Sequence, residues 1–217
     1  MRVVDLSSPL RSLAQSLDSS VLEVLAGTEA GIGMSHLARL SGRGTRQGPS
    51  IAVDRLVNHA LVIAQPASRG HLYRLNRDHV LAVAVSSACR ARVTLLARLA
   101  EAVPGLHPQP VHASVFGSFA HREGGPSSDI DLLLVLKEEP EAGDGWYEQQ
   151  RALGDRVLAW TGNRLECLAF GEDDLRGVVA RGEAIVGSWL NDSLTVHGES
   201  IDIVVRRLAP DARRGRQ

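Results

Sequence analysis

The chain has 217 residues, 44% of them hydrophobic and 23% charged, with a formal net charge of −1. That apolar content suffices for a buried core and excludes the low-hydropathy, high-charge balance of a disordered chain. The two cysteines, Cys89 and Cys167, lie far apart without CxxC or Cys/His spacing; this argues against a disulfide framework and a zinc site, and leaves both as small buried hydrophobes.

The N-terminus lacks a long apolar run, and the longest one near the middle, Leu132 to Leu136, has a strand's length rather than a membrane span's. The expectation is a cytoplasmic protein with no membrane partner. The near-zero charge hides a division. Residues 1–105 carry 12 Arg against 7 Asp and Glu, or +5, whereas residues 106–217 carry 12 Arg and Lys against 18 Asp and Glu, or −6. A basic half joined to an acidic half predicts two units with different partners.

From Ser19, the residues Val21, Leu22, Val24 and Leu25 predict a helix capped by Ser19 or Ser20 and broken at Gly27 and Gly31. A second helix is expected over about Met34–Leu40, stopping at Ser41-Gly42. A third runs over about Ser50–Ala60, with Val53, Leu56, Val57 and Leu61 on one face and Gln47, Ser50, Arg55, Asn58 and His59 on the other. Leu61–Ala64 and His71–Leu75 then read as a β-hairpin that turns through Pro66–Gly70.

Three helices and a hairpin in this order make the stretch from Asp18 to Asn76 resemble the winged helix-turn-helix family, including the run from Asp54 to Val62 that leads into the wing. Ala60 stands where such domains often place glycine for the left-handed turn. The resemblance implies that the third helix enters the major groove of double-stranded DNA. Gln47, Ser50, Arg55 and Asn58 would then lie near base edges and Arg69 of the wing near a phosphate. Docking of a protein partner is the alternative.

Leu81–Val103 reads as one long amphipathic helix, weakly interrupted at Ser86-Ser87 and ended by Pro104-Gly105. Beyond it the pattern alternates: a strand at Val111–Phe116, a short helix after Ser118, a strand at Asp129–Leu136, a helix at Tyr147–Thr161, a strand at Arg164–Phe170 and a helix at Asp173–Arg181. That is an α/β pattern on a small sheet.

Gly117-Ser118 follows an apolar strand and opens a helix, a place where backbone amides can receive phosphate. Asp129-Ile130-Asp131 heads the next apolar strand. Residues i and i+2 of a strand share a face about 6–7 Å apart along the chain, so both carboxylates aim at one region. Two such charges beside a hydrophobic strand repel unless a cation lies between them, and an all-oxygen acidic donor set suits Mg²⁺ or Mn²⁺.

Val115 to Ala120 followed by Ser127 to Leu133 resembles the nucleotidyltransferase superfamily of DNA polymerase beta, and most its minimal bacterial branch, over about Val111 to Gly198. The shared pattern is a hydrophobic strand, Gly-Ser, about ten residues, Asp-x-Asp and another hydrophobic strand. By that resemblance Gly117 and Ser118 would hold the phosphates of a nucleoside triphosphate such as ATP, and Asp129 and Asp131 would bind metal. Glu166 would supply the third catalytic carboxylate and metal ligand, with Asp202 in the apolar run Ile201–Val205 as the rival. Arg122 stands where relatives usually have glycine, and His121 where they usually have arginine; Arg122 could still meet a phosphate.

The implied fold class is α/β (α+β): a winged helix domain over 1–80, a linker helix over 81–105, a small nucleotidyltransferase sheet flanked by helices over 106–205, and a basic tail over 206–217. The implied activity is metal-dependent transfer of a nucleoside monophosphate to an acceptor hydroxyl on a small molecule, a protein or an RNA end. The alternatives are a transcription regulator whose second domain binds nucleotide without turnover, or a toxin–antitoxin component; a homodimer is also among the partners considered.

Overall fold

The computed structural model describes residues 5–14, 16–42, 47–121, 128–140 and 145–208. The architecture is mixed α/β, and it divides into two compact units: Ser8–Arg92, and the chain from Val93 onward together with the residues before Ser8.

The first unit runs α1 (Pro9–Leu13), α2 (Leu17–Ala26), β1 (Ile32–Gly33), α3 (Met34–Leu40), α4 (Gln47–Asn58), β2 (Val62–Ala67), β3 (Gly70–Leu75) and α5 (Ala82–Cys89). Its strands form an antiparallel sheet in the order β1-β3-β2. Val21, Leu25, Leu37, Val53, Leu56 and Leu75 meet in one buried core, so the helical spacing read from the sequence is the spacing that packs. Helix α2 starts two residues before the expected Ser19, because the cap is Ser16, whose side chain accepts from the Ser19 amide. Ser19 lies inside the helix, and its hydroxyl donates to the Ala14 carbonyl.

Helix α4 ends in a left-handed turn at Ala60, φ +56°. The Ala60 amide bonds the Val57 carbonyl and the Leu61 amide bonds the Leu56 carbonyl, while Leu56 and Leu61 are both buried in the core. This is the Schellman arrangement, with alanine at the position glycine usually takes. The expected single helix over Leu81–Val103 is instead two, α5 and α6 (Ala91–Ala102), parted at Arg90. Ser86 and Ser87 sit inside α5, and the unit boundary falls between Arg92 and Val93.

The second unit continues from α6 through a 3₁₀ turn (Val103–Gly105), β4 (His112–Phe116), α7 (Gly117–His121), β5 (Ile130–Leu136), α8 (Trp146–Thr161) and β6 (Leu165–Gly171). It closes with α9 (Glu172–Ala180), α10 (Ala184–Asp192), β7 (Leu194–Gly198) and α11 (Ile201–Leu208). The sheet order is β6-β5-β4-β7, with β6 parallel to β5 and the other pairs antiparallel. The parallel pair needs a crossover, which α8 supplies.

Strand β5 is central, which explains its unbroken apolar run. Leu133 and Val135 face a core completed by Leu175, Val178, Trp189, Val204 and Leu208 of α9, α10 and α11. Helix α11 runs through Arg206 and Arg207 to a buried Leu208, past the point where a basic tail was expected to begin, because Ile201, Val204, Val205 and Leu208 form one apolar face. Trp160 of α8 carries the guanidinium carbons of Arg98 and Arg156 at 5.4 and 5.0 Å from its ring centre, which ties the end of α6 to this unit.

Candidate functional site

The chemistry of the second unit converges on Asp131. It is the second residue of β5 and alternates onto the face of Leu133 and Val135, at the end of the sheet rather than in its middle. In register it stands opposite Phe116 of β4 on one side and Glu166 of β6 on the other. Residues paired in register share a face, so Glu166 is brought beside Asp131, with Leu168 and Phe170 continuing that face into the core.

Gly117 follows Phe116 and closes the other side. Its φ of +70° is a left-handed conformation, and a Cβ there would overlap Oδ2 of Asp131 and lie 3.3 Å from its Cγ. Glycine is thus required twice, for the turn and for the approach of backbone to carboxylate. Ser118, second in α7, is half-buried.

Asp129 precedes β5 and is exposed. Burial first, then the charges of Asp129 and Glu166, push the Asp131 carboxyl above its ordinary range. Three acidic groups therefore act on one another at one end of the sheet. Among the described residues no three His, Cys, Asp or Glu side chains are set to cage an ion by themselves. The donors fit a hard divalent cation in another way: Mg²⁺ is usually held by one or two carboxylates with water and substrate phosphates completing the shell.

Asn163 lies just behind this edge. It is buried, and its Nδ2 donates to the Ser128 carbonyl at 3.0 Å, one residue before Asp129. The Ile130 amide donates to the Arg164 carbonyl at 2.9 Å. No motif singled out Asn163; its only sequence signal is its place after Gly162 in the turn from α8 to β6.

The rival Asp202 is not on a strand. It lies in the first turn of α11, takes the Ser200 hydroxyl at 2.5 Å and pairs with Arg206 at 3.3 Å. The Ser200 hydrogen bond, with help from Arg206, holds its carboxyl below the usual range. His121 ends α7 and pairs through Nε2 with Asp192 of α10 at 3.3 Å. Arg122 lies outside the described residues.

At the opposite end of β4 and β5 a separate concavity of about 690 Å³ is lined by Lys137, His197 and Arg207, among others, and Arg207 there is tied to Glu172 and Glu199. Close by, His112 is fully buried between the Glu199 carbonyl, 2.6 Å from Nδ1, and Ser114 Oγ, 2.9 Å from Nε2. A carbonyl only accepts, so Nδ1 carries a proton and donates it to Glu199. Burial lowers the His112 pKa.

In the first unit, Gln47 opens α4, Ser50 is half-buried, and Asn58 and Arg69 are exposed. Arg55 is engaged: its Nε and Nη2 donate to the two carboxylate oxygens of Asp18 in α2, at 3.0 and 2.6 Å. Asp54 and Ile51, the latter 57% exposed, share the outer surface of α4.

A family model described as a nucleotidyltransferase domain matches residues 96–181. The match spans Gly117, Asp129, Asp131 and Glu166, begins within α6 and ends after α9, and it supports the nucleotidyltransferase superfamily for this part of the chain. Comparisons with curated proteins and with solved structures return no match. Among the described residues no helix is long and apolar enough to cross a membrane.

Proposed function

We propose that the second unit transfers a nucleoside monophosphate from a nucleoside triphosphate to an acceptor hydroxyl, with Mg²⁺ or Mn²⁺. The observation that carries this reading is the juxtaposition of Gly117, Asp131 and Glu166 across three adjacent strands and turns, within the stretch that matches the nucleotidyltransferase model. In this reading Gly117 and Ser118 receive the phosphates, while Asp129 and Asp131 would hold the cation, with substrate phosphates and water completing its shell and Glu166 beside them. When bound, the ion offsets negative charge on the triphosphate and on the departing pyrophosphate.

The acceptor oxygen forms a bond to the α-phosphorus as the bond from that phosphorus to the bridging oxygen breaks. Pyrophosphate leaves with the electron pair, and the hydroxyl proton passes to a carboxylate, for which we assign Glu166. Alignment of the reacting groups supplies much of the acceleration. Ser118 is a phosphate contact rather than a nucleophile, since no general base is paired with it among the described residues.

For the first unit we infer a winged helix. The order α2, β1, α3, α4, β2, β3 and the sheet order β1-β3-β2 support that reading. Gln47, Ser50, Arg55 and Asn58 of α4 and Arg69 of the hairpin would then face double-stranded DNA. The Asp18–Arg55 pair sets a condition on it: Arg55 must exchange a carboxylate for DNA.

The test of the transfer reading is incubation of the full chain with each labelled nucleoside triphosphate and Mg²⁺ or Mn²⁺, alone and with cell extract. A metal-dependent label on an acceptor is expected. A nucleotide that binds but is never incorporated would favour the regulator reading instead.

A further inference from the structure

We infer that Asn163 is a positioning residue that holds the Asp129 backbone in place for ion binding; the inference rests on the proposed nucleotidyl transfer. Asp129 is exposed and sits ahead of the first residue of β5, so the ladder of the sheet does not yet hold it. Two hydrogen bonds from the β6 side flank it. One is the Ile130 amide to the Arg164 carbonyl, and the other is Asn163 Nδ2 to the Ser128 carbonyl. The first is ordinary sheet pairing. The second is a tether from a buried side chain.

Asn163 is itself fixed. Its amide donates to Thr161 Oγ1 at 3.0 Å, and that hydroxyl donates to the Val157 carbonyl at 2.8 Å in the last turn of α8. Gly162, at φ +76°, makes the turn between them. The tether therefore runs from the end of α8, through a buried amide, to the residue before Asp129.

The bonding of the side chain argues for this role. Asn163 is 4% exposed, and its Oδ1 has no hydrogen-bond partner among the described residues. The bond its side-chain amide makes among these residues is the one to the Ser128 carbonyl. Its direct effect is on the geometry of residues 128–130. Groups that orient metal ligands from behind act in this way, and their loss typically weakens metal affinity by roughly 10-fold to 100-fold.

The test compares the full-length wild type with Asn163→Asp, which keeps the shape but puts an acceptor against the Ser128 carbonyl, and Asn163→Ala. Mn²⁺ alone is titrated by electron paramagnetic resonance, amide exchange is followed over residues 128–131, and the folded fraction is measured by melting. The expected result is weakening of Mn²⁺ binding by roughly 10-fold in the folded protein, with faster exchange over 128–131. An unchanged Mn²⁺ constant in both variants, with any loss of activity matching the loss of folded protein, would overturn the inference and leave the transfer reading standing. If the wild type neither binds Mn²⁺ nor incorporates nucleotide, the transfer reading fails and this inference fails with it.

Discussion

Gly117 and Asp131 are neighbours through space that tolerate no side chain between them: a Cβ on residue 117 would overlap the Asp131 carboxylate. Gly117→Ala must therefore displace the carboxylate while also forcing alanine to φ +70°. A left-handed alanine costs about 1–2 kcal/mol before any overlap is counted. The expected outcome is a lower melting temperature together with loss of nucleotide incorporation. Melting and a labelling assay on the same preparation check both.

In the transfer reading, Asp131 sets activity against stability. Its carboxyl pKa is raised in the folded protein from a reference of 3.8, so the protonated form favours folding below that value, and this contribution is lost as pH rises through the raised value. Once ionised, the group works against folding. Asp131→Asn is expected to raise the melting temperature at pH 7 by about 2–4 °C, with the gain shrinking as pH is lowered, while incorporation falls by about a thousandfold or more. Melting of both proteins across pH checks the sign.

His112 predicts the opposite slope. Its pKa is lowered in the folded protein from a reference of 6.5, so its stabilising contribution is present above that value and is lost as pH falls toward the depressed one. The wild type should lose stability on acidification from pH 7 to pH 5. His112→Gln should be less stable at pH 7 and flatter over that range, which denaturant titrations at several pH values measure.

Ala60 occupies a left-handed turn that glycine takes without strain. Ala60→Gly is expected to stabilise the first unit by about 0.5–1 kcal/mol, the left-handed penalty less the entropy glycine adds to the unfolded chain. Denaturant unfolding is the measurement.

The Asp18–Arg55 pair is exposed and contributes little to stability. Asp18→Ala is therefore expected to leave folding intact and free Arg55. If α4 reads DNA, binding to duplex should tighten several-fold and its salt dependence should steepen by about one unit, while Arg55→Ala should do the reverse. Identical titrations for both variants and the wild type would point to a protein partner for this face.

The parts of the fold that were legible are those where spacing alone fixes the side-chain environment. Leu132 to Leu136 had to be a buried strand, and placing Asp129 and Asp131 at its head located the acidic edge. The partnership of Asp131 with Glu166 is a register between strands joined by a 16-residue helix, and no local pattern encodes that register. The same holds for Arg55 and Asp18, 37 residues apart, and for Asn163 and Ser128, 35 apart. Ile201–Val205 is a short apolar run that suits a strand or a helix alike; Leu208, three residues after Val205, completes the helical face.

The most direct measurement of the central claim is Mg²⁺- or Mn²⁺-dependent incorporation of labelled nucleoside triphosphates by the wild type and by the Asp129→Asn/Asp131→Asn double variant. The account predicts metal-dependent label with the wild type and none with the folded double variant. Equal incorporation by the two proteins, or a wild type that labels no acceptor with any of the four nucleotides, would contradict it.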